Sequence, residues 1–165
     1  MSTDLKVRDV LRTDPTKAKL LNDGVAEVRA VASEEERRLL RYEVESFVCD
    51  GEYQKGLYKI LDTYLRHLGD PKQPAVWVSG FYGSGKSHLV KMLRVLWTDL
   101  TFEDGVSARG LARLPDDVKE KLHELSVAAK KHGGLRSAGG TLGAGAGDSV
   151  RLAMLGIVFG ALGLP

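Results

Sequence analysis

The chain has 165 residues, of which 43% are hydrophobic and 28% charged; that balance belongs to a folded globular domain and excludes a disordered one. Its 24 Lys+Arg stand against 22 Asp+Glu, a net charge of +2. No polybasic stripe exists, so charge gives no support to a nucleic-acid partner beyond weak contacts inside a larger assembly.

The single cysteine, Cys49, rules out an internal disulfide and joins no Cys/His set with metal-ligand spacing; it reads as a small buried hydrophobe. The N-terminus, residues 1–6, opens polar and lacks the apolar core of a signal peptide. The most apolar stretch, residues 150–165, carries Arg151 and three glycines and is too short and broken to span a bilayer. The expected location is cytoplasmic, without membrane contact.

In chain order, Val7, Val10 and Leu11 predict a short helix over residues 5–12, stopped by Asp14-Pro15. Asn22-Asp23-Gly24 is a turn signal, and residues 24–31 alternate loosely as a strand would. Ser33 with Glu36 fits a capping box, so a helix starts there. Leu40, Tyr42, Val44, Ser46 and Val48 then alternate with polar residues. That period of two favours a strand over residues 42–48, with helix as the rival.

Residues 54–67 predict an amphipathic helix, since Leu57, Ile60, Leu61, Tyr64, Leu65 and Leu68 recur at three and four. After Pro74, the run Ala75-Val76-Trp77-Val78-Ser79 predicts a short buried strand. Leu89, Met92, Leu93 and Leu96 stripe a helix over 89–97, and residues 102–105 form a turn. A helix from Pro115 to about Lys130 has acids in its first turn and lysines in its last, matching the helix dipole. Residues 135–142 predict a second strand of the same sheet. Glycine-rich residues 143–147 are a loop, and Asp148 or Ser149 caps a last apolar helix reaching about Leu162.

One motif carries chemistry. Gly80-Phe81-Tyr82-Gly83-Ser84-Gly85-Lys86-Ser87 matches G-x-x-x-x-G-K-[ST] throughout. Glycines at 80, 83 and 85 let the backbone reach positive φ and approach phosphate oxygens without a Cβ in the way. The helix that starts near Lys86 aims unsatisfied N–H groups at the same anion. Lys86 is placed to reach the β and γ phosphates, and the Ser87 hydroxyl to meet Mg²⁺. The candidate nucleotide contacts are therefore Gly80, Gly83, Ser84, Gly85, Lys86, Ser87 and His88, with Ser87 the metal contact and ATP with Mg²⁺ the expected cofactors. The side chains of Phe81, Tyr82 and Ser84 are permissive, and packing or exposure fits the His88 ring better than catalysis. The competing reading is a plain glycine-rich turn with a chance lysine. A second anion nest at Asp148-Ser149 has only its preceding glycines in its favour.

No catalytic residue can be assigned. Hydrolysis needs a second acid at the end of an apolar strand; Asp116 opens a helix and Asp148 follows glycines. No arginine is marked by spacing as a finger, and no L-S-G-G-Q signature occurs. The expected fold is α/β: a P-loop NTPase-type strand–loop–helix core with an incomplete sheet. Residues 1–50 read as a mixed α/β extension and 51–165 as the N-terminal part of a nucleotide-binding domain, so truncation of a longer protein is the expectation.

Residues 42–51, then Tyr53, Gly56-Leu57 and Ile60-Leu61-Asp62, then residues 74–89, resemble the start of the large P-loop ATPase of BREX bacteriophage-defence systems. Residues 139–148 and Gly163-Leu164-Pro165 are similar to the same family. The resemblance covers most of the chain from about Lys6, and its most specific part is residues 77–89. It implies an AAA-like ATPase core in a much longer protein, acting beside a methyltransferase and other defence components, with a self-oligomer in the full-length form. It places phosphate binding on Gly80, Gly83, Gly85, Lys86 and Ser87. The expected function is that of an ATP-binding subunit, an ATPase in the full-length form. Two alternatives stand beside it. One is a small P-loop kinase or phosphotransferase using Arg109 or Arg113. The other is a non-catalytic scaffold or fragment, whose last apolar helix, left exposed, would aggregate.

Overall fold

The computed structural model describes Lys6, Val10, residues 33–142 and residues 149–164. The expected helix over 5–12, strand over 24–31 and loop over 143–147, together with Asp148, lie outside these residues, the described Lys6 and Val10 apart.

Among the described residues the structure forms six helices: α1 (Glu34–Ser46), α2 (Gly51–Arg66), α3 (Lys86–Thr98), α4 (Ala108–Leu111), α5 (Asp116–Lys130) and α6 (Val150–Leu162). The only strand-type pairing among the described residues is one isolated antiparallel bridge, Thr101 to Ser107. The structure is therefore all-α, and the α/β expectation is corrected: no sheet flanks the glycine motif among the described residues.

The reason lies in where hydrogen bonds come from. A helix satisfies its backbone locally, whereas a strand needs a partner from elsewhere in the chain. Residues 75–79 are apolar and β-branched but pair with no described strand, and Val76 and Trp77 are 53% and 90% exposed. Residues 135–142 likewise pair with nothing described.

The strand expected over residues 42–48 is helix as far as Ser46. Ser33 accepts from the Glu36 N–H and Glu36 accepts from the Ser33 N–H, a complete capping box that launches α1. Leu40 and Val44 lie four apart, so they satisfy the helical period as well as the alternating one, and both are buried. The Ser46 hydroxyl donates back to the Tyr42 carbonyl at 2.7 Å, and the chain turns extended at Phe47.

The core joins Leu40 and Val44 of α1, Leu57 and Leu61 of α2, Met92 and Leu96 of α3, and Val118, Leu122 and Leu125 of α5. Helix α2 packs along α5, while α3 meets both α4 and α5, and α1 rests on α4. Between α3 and α4 the chain reverses in the expected turn, where Gly105 has φ 79° and its N–H donates to the Phe102 carbonyl at 2.9 Å. Helix α4 itself has no signal in the apolar periodicity; it is set by the Ser107 hydroxyl, which accepts from the Gly110 N–H.

Two ties fix α1 and α4 to α3. Glu43 is 3% exposed and paired with the Lys91 ammonium at 2.5 Å. Arg109 spans the end of α3 and the middle of α5: its guanidinium donates to the carbonyls of Leu96 (2.7 Å), Trp97 (2.9 Å) and Leu122 (2.8 Å) and to the Ser126 hydroxyl (2.5 Å). The first two are carbonyls that the ending helix cannot satisfy itself. Helix α6, capped by Ser149, buries none of its residues.

Candidate glycine-loop site

The motif residues curl rather than extend. The Ser84 N–H donates to the Phe81 carbonyl at 3.2 Å, closing a turn over 81–84. Gly83 and Gly85 have φ of 79° and 80°, a region costly for residues with a side chain. Gly85 is also crowded, since a Cβ there would lie 1.8 Å from the Tyr53 hydroxyl oxygen. A Cβ on Gly80 would meet the Ser84 hydroxyl oxygen at 2.7 Å.

Lys86 folds back over the loop, and its Nζ donates to the Phe81 carbonyl at 2.6 Å. Gly85 is the N-cap of α3, which has no side-chain cap. The first helical bond is Leu89 N–H to the Gly85 carbonyl at 2.9 Å, so the amides of Lys86, Ser87 and His88 precede the ladder and remain available to an anion. Ser87 is exposed beside them.

Tyr53 is a buttress that the motif does not reveal. From the first turn of α2 its hydroxyl donates to the Ser84 carbonyl at 3.1 Å. It lies 31 residues before its acceptor, a separation no local pattern signals. A cavity of about 600 Å³ adjoins the loop, walled by Tyr53, Ile60, Val76, Trp77, Lys86 and Leu89 among others. That volume is within the range of small-ligand pockets.

His88 turns its ring inward, edge-on to Phe47 at 5.7 Å. Burial lowers its pKa below the ordinary 6.5, Glu43 works the other way, and Lys91 lowers it further. Its ring is thus a packing group, and its backbone N–H is one of the three that precede the helical ladder. Cys49 is buried in the core, and its pKa is pushed up to about 11 by burial, then by Asp117 and Asp50. At neutral pH it is held as the thiol, the form that is a poor nucleophile.

Arg109 is consumed by the clamp between α3 and α5, and burial lowers its pKa, which Asp99 partly offsets. Arg113 is exposed. Asp116 is exposed and pairs with Lys119 at 3.1 Å. Ser149 spends its hydroxyl on the α6 cap, accepting from the Leu152 N–H. Among the described residues no group of three or more His, Cys, Asp or Glu is arranged to hold a metal ion. No described helix is long and apolar enough to cross a membrane. No protein-family model matches the chain, and no solved structure matches it.

Proposed function

We propose that the chain binds Mg·ATP through residues 80–88, as the nucleotide-binding part of an ATPase of the BREX bacteriophage-defence type. The observation that carries the reading is the conjunction at one helix start: two glycines at positive φ, uncapped amides on Lys86, Ser87 and His88, and the Lys86 ammonium lying over the loop. A triphosphate would replace the Phe81 carbonyl as the partner of Lys86, and the amides would take its oxygens. Ser87 would hold Mg²⁺ through its hydroxyl, and the ion would neutralise phosphate charge when bound. Other proteins of the defence complex, and further copies of the full-length chain, are the partners this reading names.

Isothermal titration tests it. Mg·ATP binds the wild type, and Lys86→Ala weakens binding at least tenfold, about 1.4 kcal/mol. Equal affinity in the two proteins contradicts the reading. The kinase alternative has no support from Arg109 as a lid residue, because that side chain is engaged in holding the core together.

A further inference from the structure

A second charged cavity lies away from the glycine loop, between α1 and α3. It measures about 360 Å³ and is lined by Arg37, Arg38 and Arg41 from α1 and by Lys91 and Arg94 from α3, over a floor that includes Leu40 and Phe102. A smaller cavity of about 210 Å³ adjoins it, shares Arg94 and Ser137 with it, and adds Arg136, Leu93 and Trp97. Arg94 is eight residues beyond Lys86 on α3, about 12 Å along the axis, so the groove and the loop do not share a ligand-contacting group.

Not every cation there is free to act on a ligand. Lys91 is matched by Glu43 at 2.5 Å and Arg41 by Asp104 at 3.0 Å, and Arg38 pairs with Glu34. Among the described residues no carboxylate lies within ion-pair distance of Arg37, Arg94 or Arg136. Arg37 and Arg94 line the larger cavity together with the Glu103 carboxylate, and Arg136 lines the smaller one. Over the two cavities together, these three cations against that one carboxylate leave two positive charges in excess, and Arg94 holds one of them half-buried. Withdrawing a guanidinium from water without a counterion is unfavourable, so an anion gains most there.

We propose that this groove is a binding site for a small organic phosphate monoester. Arginine forks match the paired oxygens of a phosphate, and a dianion matches the twofold excess of charge. Ser137 adds a hydroxyl, and the apolar floor suits a ring or hydrocarbon attached to the phosphate.

The test uses the full chain carrying Lys86→Ala, which silences the loop, with phenyl phosphate as probe and amide NMR as readout. Phenyl phosphate shifts the amides around Arg37–Arg41, Lys91–Val95 and Ser137. Arg94→Gln weakens binding at least tenfold, and the exposed-site change Arg37→Glu, which threatens no core contact, weakens it as well. Phenol and the monoanionic diester methyl phenyl phosphate bind at least tenfold more weakly than the monoester. Absence of binding, affinity unchanged in both arginine variants, or a diester or oligothymidylate binding as tightly as the monoester overturns the proposal.

Discussion

At the scale of single residues, two positions constrain the start of α3. Gly85 is the position with least freedom, since positive φ and the Tyr53 hydroxyl both exclude a side chain. His88 is the residue through which pH reaches the same helix. Its folded pKa lies below 6.5 because burial disfavours the imidazolium, with Glu43 opposing and Lys91 adding. As pH falls through 6.5, the unfolded chain takes up this proton before the folded one, so stability declines on the acid side. The slope from this one group stays below about 1.4 kcal/mol per pH unit. Urea melts of wild type and His88→Phe across pH 5 to 7.5 check this. The variant loses that part of the slope, and an unchanged slope would mean that His88 titrates alike in both states.

At the scale of elements, the helices hold together through a few polar ties set in an apolar core. Lys91→Ala leaves the Glu43 carboxylate buried without its ammonium, a change that costs about 3–5 kcal/mol. Replacing both partners with apolar side chains at once (Lys91→Met with Glu43→Leu) restores most of it, and chemical denaturation of both variants measures the difference. Arg109→Lys keeps the charge but loses the fork that reaches the Leu96, Trp97 and Leu122 carbonyls at once. The expected loss is about 2–4 kcal/mol by the same measurement, from charged hydrogen bonds that the ammonium cannot replace. A loss under a few tenths would show that the clamp is not structural.

Helices were also the part of the fold legible in the sequence. The Ser33/Glu36 box, the leucine stripe of α2, the Met92–Leu96 stripe of α3 and the acid-to-lysine polarity of α5 all act within a few residues, where pattern and cause coincide. Residues 75–79 carry strand composition but form no sheet among the described residues, because pairing is decided by distant segments. Residues 42–48 failed for a different reason, since Leu40 and Val44 satisfy both periods and only the cap upstream breaks the tie. Of the site, Gly83, Gly85 and Lys86 were legible, whereas Gly80, expected to share their positive φ, does not have it and is instead crowded by the Ser84 hydroxyl. Tyr53, the Arg109 clamp and the arginine groove were not, because each joins residues far apart in the chain.

At the scale of the whole molecule, the apolar surface is unevenly distributed. The core runs from α1 through α5, yet α6 leaves Leu152, Met154, Leu155, Val158 and Phe159 exposed. An apolar surface of that kind in water drives association. Light scattering on the isolated chain is expected to show self-association that grows with concentration, and Leu155→Lys with Phe159→Lys to reduce it. A wild-type chain that stays monomeric at every concentration would contradict this.

The proposed function stands or falls on whether backbone amides at the start of α3 wrap a triphosphate. Amide NMR during a Mg·ATP titration of the wild-type chain is the sharpest test. The largest shifts are expected at Gly83, Gly85, Lys86, Ser87 and His88, and are expected to vanish in Lys86→Ala. Shifts centred elsewhere, or none at these five amides when the ligand saturates, would contradict the proposal.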